Sequence, residues 1–183
     1  MKHIFAILLF IFVARSATAQ SPGGQAPPPD LESVYRNITG TAYVPFDLTT
    51  LDGKRFTSAS CIGKVTFINF WFEGCVPCRN EFAKLNELYD SLKDNPSYQF
   101  VAVTFDEKEG LRDFIRQFGL RYPIATVNDQ WEEKRLNYQL GYPTSIILDK
   151  DGKVGYIGMK GITENDNSAF AISIHTILAK MKQ

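Results

Sequence analysis

The chain is short of the residues that hold metals and build covalent scaffolds: among 183 residues there are three cysteines and two histidines. Three cysteines cannot make a disulfide framework. A zinc site around the pair Cys75 and Cys78 would have to recruit two further ligands from Cys61, His3 and His175, and His3 lies in a segment expected to be removed. Without a second histidine in the mature chain, a Cys–His hydrolase is not indicated, and His175 reads as a surface residue of a late helix. A surplus of one charge is also missing. Twenty basic residues face twenty acidic ones, and no basic run is present, so nothing calls for nucleic acid. There is no internal repeat and no sign of a second domain. The length suits a single domain with a substantial core, and a 44% hydrophobic, 22% charged composition is that of a soluble globular protein.

One apolar run does stand out at the N-terminus, Ile4 to Val13, too short to span a bilayer comfortably. It follows the basic start Met1-Lys2-His3 and precedes the small-x-small triplet Ala17-Thr18-Ala19. Residues 1–19 are therefore read as a signal peptide cleaved after Ala19, the alternative being an uncleaved anchor. No cysteine follows the run, so no lipid-anchored mature terminus is expected. Losing Lys2 and Arg15 would leave the mature chain slightly acidic. Export implies an oxidising compartment, and the bacterial plan of the chain points to the periplasm. Residues 20–39 form a linker and N-terminal extension, with Pro22, Gly23, Gly24, Pro27, Pro28 and Pro29 opposing helix and a weak helical segment at Leu31 to Ile38. The main domain is assigned to residues 40–183.

The chemistry of the domain centres on Trp71-Phe72-Glu73-Gly74-Cys75-Val76-Pro77-Cys78-Arg79. The apolar run Val65 to Phe72 leads in, and Phe82, Leu85, Leu88, Tyr89 and Leu92 recur at helical steps beyond it. Two cysteines three positions apart thus fall where a buried strand becomes a helix, on one helical face, with Cα atoms ~5 Å apart, a separation that a disulfide tolerates. Free N–H groups at the helix start favour a thiolate on Cys75, and Pro77 fits a first turn that needs no donor from it. The pair by itself could be half a metal site or an inert staple; strand, aromatic pair and helix around it favour a disulfide that opens and closes.

The stretch Asn69-Phe70-Trp71-Phe72-Glu73-Gly74-Cys75-Val76-Pro77-Cys78-Arg79-Asn80-Glu81 resembles the active site of the thioredoxin superfamily and, within it, the exported TlpA/ResA-like thiol–disulfide oxidoreductases. The resemblance runs from about Gly40 to the C-terminus. It implies an α/β thioredoxin-like fold, with a mixed central sheet flanked by helices, an N-terminal β-hairpin and a central strand–helix insertion. It also implies a redox-active Cys75–Cys78 disulfide, and a proton-handling or pKa-tuning role for Glu81. At Tyr142-Pro143-Thr144 it implies a cis-proline loop that offers backbone to an extended partner. Together with Trp71, Gly74, Val76 and Pro77, that loop makes up the expected client-binding surface. Trp71 itself is read mainly as packing near the site, and Glu73 as a surface loop acid. The chain departs from thioredoxins in having Gly74 where Trp usually precedes the first cysteine and Asn69 where a buried Asp is usual, so partner choice and proton handling are expected to differ.

The remaining elements follow from periodicity and turn chemistry. Tyr43 to Leu48 and Lys54 to Thr57 flank Leu51-Asp52-Gly53 as a hairpin, with Pro45 placing its strand at an edge. Cys61 reads as a small, partly buried residue, with a third redox thiol as the alternative. The active-site helix is expected to run on from Arg79 to Lys93, stopped by Asn95-Pro96. A strand at Tyr98 to Phe105, a helix closed by Gly119, a strand at Pro123 to Val127 and a helix from Trp131 to Leu140 follow. Thr144 to Leu148 and Val154 to Met159, joined at Asp151-Gly152, form a second hairpin, and Ala169 to Met181 a closing helix. Tyr122-Pro123 repeats the Tyr-Pro dipeptide without the Thr and long apolar strand that follow Pro143.

The expected activity is disulfide exchange with client proteins, in the reducing direction and supplied by a membrane electron donor, as in cytochrome c maturation. The rivals are an oxidant or isomerase, a thiol peroxidase, and a copper- or zinc-binding module. The peroxidase is disfavoured because Phe72 stands where a Thr or Ser is needed three residues before the reactive cysteine. No cofactor and no metal are called for, and a monomer is expected.

Overall fold

A computed structural model describes residues 30–159. The signal-peptide segment, most of the Pro/Gly-rich linker, and the closing helix with His175 lie outside the described residues.

The central strand β3 (Val65–Phe70) alternates aromatic, β-branched and polar side chains, and all six residues are buried. A strand covered on both faces must sit inside a sheet. Parallel to β3 lies β4 (Tyr98–Thr104), and β5 (Ile124–Thr126) continues in parallel beyond it as an edge strand. On the other side β6 (Thr144–Leu148) and β7 (Val154–Gly158) run antiparallel, giving the order β5-β4-β3-β6-β7. This mixed sheet with its flanking helices is the expected fold class. Helix α5 (Lys108–Phe118) makes the crossover between β4 and β5 and ends on Gly119 at φ +62°, a left-handed cap that glycine adopts without Cβ strain.

The period-two alternation of β3 divides the core. Val65 and Phe67 face one apolar cluster with Trp71, Phe82, Leu85, Phe100 and Phe114, while Ile68 and Phe70 face another with Tyr43, Val101, Val103, Leu136 and Ile146. Asn69 shares the Phe67 face and is therefore a polar residue placed under the helices.

Several boundaries differ from the sequence expectation. Helix α1 (Leu31–Ile38) forms as read, capped by Asp30, whose carboxylate accepts from Glu32 and Ser33 N–H. The N-terminal hairpin is short: β1 (Asp47–Thr49) pairs with β2 (Arg55–Thr57) as a separate two-stranded sheet. Tyr43 and Phe46 leave the ladder to cover the core, with the Tyr43 hydroxyl donating to Leu136 O at 2.6 Å. Cys61 ends a one-turn helix, α2 (Ser58–Cys61), just before β3. Helix α6 (Gln130–Leu136) stops short of the expected Leu140. Tyr138 and Gln139 take left-handed backbone, φ +57° and +60°, and Tyr138 packs edge-on against Tyr43 at 5.8 Å. A tertiary contact ends this helix before glycine is reached.

Candidate active site

The site is built where β3 runs out. Trp71 N–H still reaches Val103 O at 3.2 Å, and the chain then turns away from the sheet so that Cys75 N–H bonds to Phe72 O at 3.0 Å. Gly74 allows that turn: a Cβ there would stand 3.0 Å from the Phe72 ring. Glu73 is held by its backbone at both ends, its N–H donating to Asp106 Oδ2 at 2.7 Å and its carbonyl accepting from Arg79 Nε at 3.0 Å. The Arg79 guanidinium in turn lies over the Phe114 and Phe118 rings. Burial and the Asp106 charge push the Glu73 carboxyl above its ordinary value, so this acid is more constrained than a free surface residue.

Cys75 and Cys78 are joined in a disulfide with Cα atoms 5.3 Å apart. Cys75 caps the short helix α3 (Val76–Arg79), its Sγ accepting from Cys78 N–H at 3.2 Å. Cys75 retains 5% exposure and Cys78 none, so an incoming reactant meets Cys75 first. Val76, 61% exposed, and the exposed Pro77 form a small apolar brow beside it.

The expected continuous helix from Arg79 to Lys93 is broken. After α3 the backbone tightens, with Glu81 N–H bonding to Cys78 O at 3.1 Å, and α4 (Phe82–Leu92) begins anew with Glu81 at its cap position. The break turns the Glu81 side chain inward. Its carboxyl is fully buried, and Oε1 accepts from Asn69 Nδ2 at 3.0 Å; the same amide also reaches Ser145 Oγ at 3.2 Å. Ser145 is the cross-strand register partner of Asn69. Glu81 is thus part of a buried polar cluster beneath the disulfide helix and not a solvated helix residue. Burial first and the Glu81 charge second push the buried Tyr122 phenol well above its ordinary value.

Across from the cysteines, Tyr142–Pro143 is a cis peptide, and among the described residues no other is; Tyr122–Pro123 is not. Thr144 pairs with Phe70, so Pro143 lies at the strand end from which the Cys75 loop departs. Thr144 Oγ1 bonds to Gly141 O at 2.5 Å, and both Pro143 and Thr144 are buried. The half-buried Tyr142 ring meets Phe72 edge-on at 5.1 Å, and Phe72 stacks on Phe105 at 5.6 Å, making an aromatic wall beside the pair. Trp71 does not join this wall. It is wholly buried between Phe82 and Phe114, so its expected contact with clients is replaced by a packing role.

Cys61 is free, buried and at the other end of β3, where Gln99 Nε2 approaches its Sγ at 3.3 Å; burial pushes its thiol up. Its burial is more complete than the partly buried position expected of it. Four residues of the site escaped sequence reasoning. Asp106 and Arg79 bind the Glu73 backbone, the Tyr122 phenol is raised by the Glu81 charge, and Glu133 of α6 accepts from the Tyr142 hydroxyl at 3.0 Å. Asn69 stands out in the sequence itself, in the place where thioredoxins usually carry a buried Asp.

A mixed sheet, a cysteine pair capping the helix after its central strand, and a cis-proline loop opposite define a thioredoxin-like protein. The profile of the AhpC/TSA family matches residues 39–157. The thiol-disulfide oxidoreductases ResA of Bacillus thuringiensis and Bacillus anthracis are each 37% identical over 111 residues, spanning 60% of this chain and 62% of theirs. ResA of Geobacillus kaustophilus is 34% identical over 129 residues, 69% of this chain and 72% of its own. Among solved structures, a Chlorobium tepidum protein assigned as the thiol:disulfide interchange protein DsbE superposes with a TM-score of 0.66 at 27% identity, covering 76% of this chain and 97% of that one. The match to the Bacillus relatives thus spans less than two thirds of their length. The chain belongs to the AhpC/TSA family and to its ResA-like thiol-disulfide oxidoreductases.

Proposed function

We propose that the protein is a thiol–disulfide oxidoreductase that reduces disulfides of client proteins through Cys75 and Cys78. The observation that carries this reading is the disulfide itself, closed at the cap of α3 with Cys75 keeping 5% of its surface exposed and Cys78 none. In the dithiol form the Cys75 thiolate attacks a client sulfur. The client S–S bond breaks, its departing sulfur takes a proton, and Cys75 is left in a mixed disulfide. Cys78, as thiolate, then attacks the Cys75 sulfur; the second client sulfur leaves and the Cys75–Cys78 bond closes. Two electrons pass to the client, and an external thiol or membrane donor must return them.

The Cys78 N–H aimed at Cys75 Sγ supports Cys75 as the first thiolate. Because α3 is a single turn, this one donor matters more than a long helix dipole would. Glu81, buried under the pair, is suited to take the Cys78 proton before resolution. Single-turnover reduction followed against pH, in wild type and Glu81→Gln, tests that role. The variant should resolve the mixed disulfide more slowly, and superimposable profiles would remove Glu81 from the chemistry. The aromatic wall, Gly74, Val76, Pro77 and the Tyr142-Pro143-Thr144 loop are proposed to receive the client.

We place the protein in the periplasm, monomeric, where a reductant of this type could serve cytochrome c maturation. The basic start, apolar run and Ala17-Thr18-Ala19 support export, and no helix among the described residues is long and apolar enough to cross a membrane. Mass spectrometry of protein from its host should find a mature chain beginning at Gln20; intact Met1 in the membrane fraction would indicate an anchor instead. Direction is tested by the reduction potential against glutathione: about −270 mV fits a reductant, and about −120 mV would make the protein an oxidant. The AhpC/TSA match raises peroxide reduction as a second reading, which Phe72 three residues before Cys75 disfavours, since it supplies no hydroxyl.

A further inference from the structure

Glu133 is a buried acid on a helix whose neighbouring charges reach water. Glu132 and Lys134 are partly exposed and Arg135 exposed, yet Glu133 has no exposed surface at all. Its Oε2 accepts the Tyr142 hydroxyl at 3.0 Å, and its Oε1 has no hydrogen-bond partner. Asn137, the residue that caps the end of α6, is equally buried, and its side-chain amide turns to the same Tyr142 hydroxyl. Burying polar atoms this way is unfavourable, and a Leu or Met at either position would avoid it. What the pair does engage is the hydroxyl of Tyr142, the residue that precedes Pro143.

We propose that Glu133 is a positioning residue for client docking: it fixes the Tyr142 hydroxyl, and through the Tyr142 ring it fixes the aromatic wall and the Tyr142–Pro143 loop beside Cys75. This role rests on the exchange function proposed above. Tyr142 is the hinge of the arrangement because its ring meets both Phe72 and Phe105, at 5.1 and 6.1 Å. A phenol tethered at its far end keeps one face of that wall still, so a client does not have to order it on binding.

The charge state of Glu133 explains why an acid can serve here. Burial pushes its carboxyl up to about 9, with the Asp106 charge adding to the rise and the Tyr142 bond opposing it. The titratable groups that face it are Tyr142, from the loop before β6, and Asp106, from the loop after β4. Tyr142 is held far above the ordinary tyrosine range by burial and by Glu133, so it remains a donor. Asp106 is already engaged, accepting from Glu73 N–H and Thr104 Oγ1, both at 2.7 Å. The two chain segments that border the cysteines are thus held from behind by two carboxyl groups. A neutral Glu133 accepts from Tyr142 without setting a second negative charge beside Asp106.

Steady-state reduction of a disulfide-bonded peptide, with dithiothreitol returning the electrons to the full-length mature protein, tests the role. At pH 7, Glu133→Ala and Tyr142→Phe should each raise KM about tenfold and leave kcat within about twofold, the scale of one lost hydrogen bond. Glu133→Gln keeps an acceptor for Tyr142 and should restore most of the lost affinity. An unchanged KM in both Glu133→Ala and Tyr142→Phe would overturn the role. So would Glu133→Gln behaving no better than Glu133→Ala, or a fall in kcat with KM unmoved. Should Glu133→Ala fail to fold, Tyr142→Phe, which removes a single oxygen, decides the matter. A wild type that does not reduce the peptide overturns the exchange function and this role together, whereas a wild type that turns over with variants like itself overturns this role alone.

Discussion

Cys78→Ser should abolish turnover by at least about a thousandfold and accumulate a covalent adduct of Cys75 with clients, while Cys75→Ser should abolish turnover equally and accumulate none. The asymmetry follows from placement. Cys75 Sγ lies at the helix cap with 5% of the residue exposed and accepts the Cys78 N–H, whereas Cys78 is sealed beneath it. A thiolate at Cys75 is stabilised by that donor and can reach a client; a thiolate at Cys78 can reach only Cys75. With Ser in place of Cys78 the mixed disulfide forms and cannot be resolved. Non-reducing gels of protein recovered from its host, followed by mass spectrometry of the adducts, provide the measurement. Equal trapping by the two variants would mean that the buried cysteine is accessible and that the order of attack is wrong.

The second large effect is on stability. The Glu133 carboxyl ionises near 4.5 in an unfolded chain and near 9 in the folded protein. Below pH ~4.5 both states hold the proton and the shift is without consequence. Between these values the unfolded chain releases a proton that the folded protein keeps, so folding stability falls as pH rises, by at most ~1.4 kcal/mol per pH unit. By pH 7 the loss is on the order of 3 kcal/mol. Glu133→Gln does not titrate and escapes it. The melting temperature of the variant should therefore gain on that of the wild type steadily from pH 5 to pH 8, by ~10 °C for a domain of this size. Calorimetry across that range, comparing slopes, checks this; parallel curves would mean that Glu133 is hydrated and ionised in the folded state.

Glu133 also shows where sequence reading runs out. The sequence reads as helical from Trp131 to Leu140, and the structure forms Gln130–Leu136, capped by Asp129, which accepts from Glu132 N–H. Nothing local distinguishes Glu133 from Glu132. Glu133 is buried where the segment that follows α6 folds back to set Tyr142 against it, while Glu132 stays partly exposed. Glu81 behaves in the same way. Its place six residues after Cys75 is visible in the sequence, but its burial depends on a helix break at Asn80–Glu81 and on an amide from Asn69 across the core.

What the sequence determined by itself was the set of elements and the chemistry of the pair. A buried run must become the inner strand, a three-residue spacing brings two sulfurs onto one turn, and Asp151-Gly152 closes a hairpin whatever surrounds it. These are short-range consequences of periodicity, bond geometry and turn preference, which act within about one turn or one strand. Only the tertiary structure decided which cysteine keeps contact with solvent and where α6 stops. It also decided that Asp106, Arg79, Asn69 and Glu133 hold the site from behind. Burial and the resulting charge states depend on contacts between segments far apart in sequence. No local pattern encodes them, because the dielectric around a carboxyl is set by whatever packs against it.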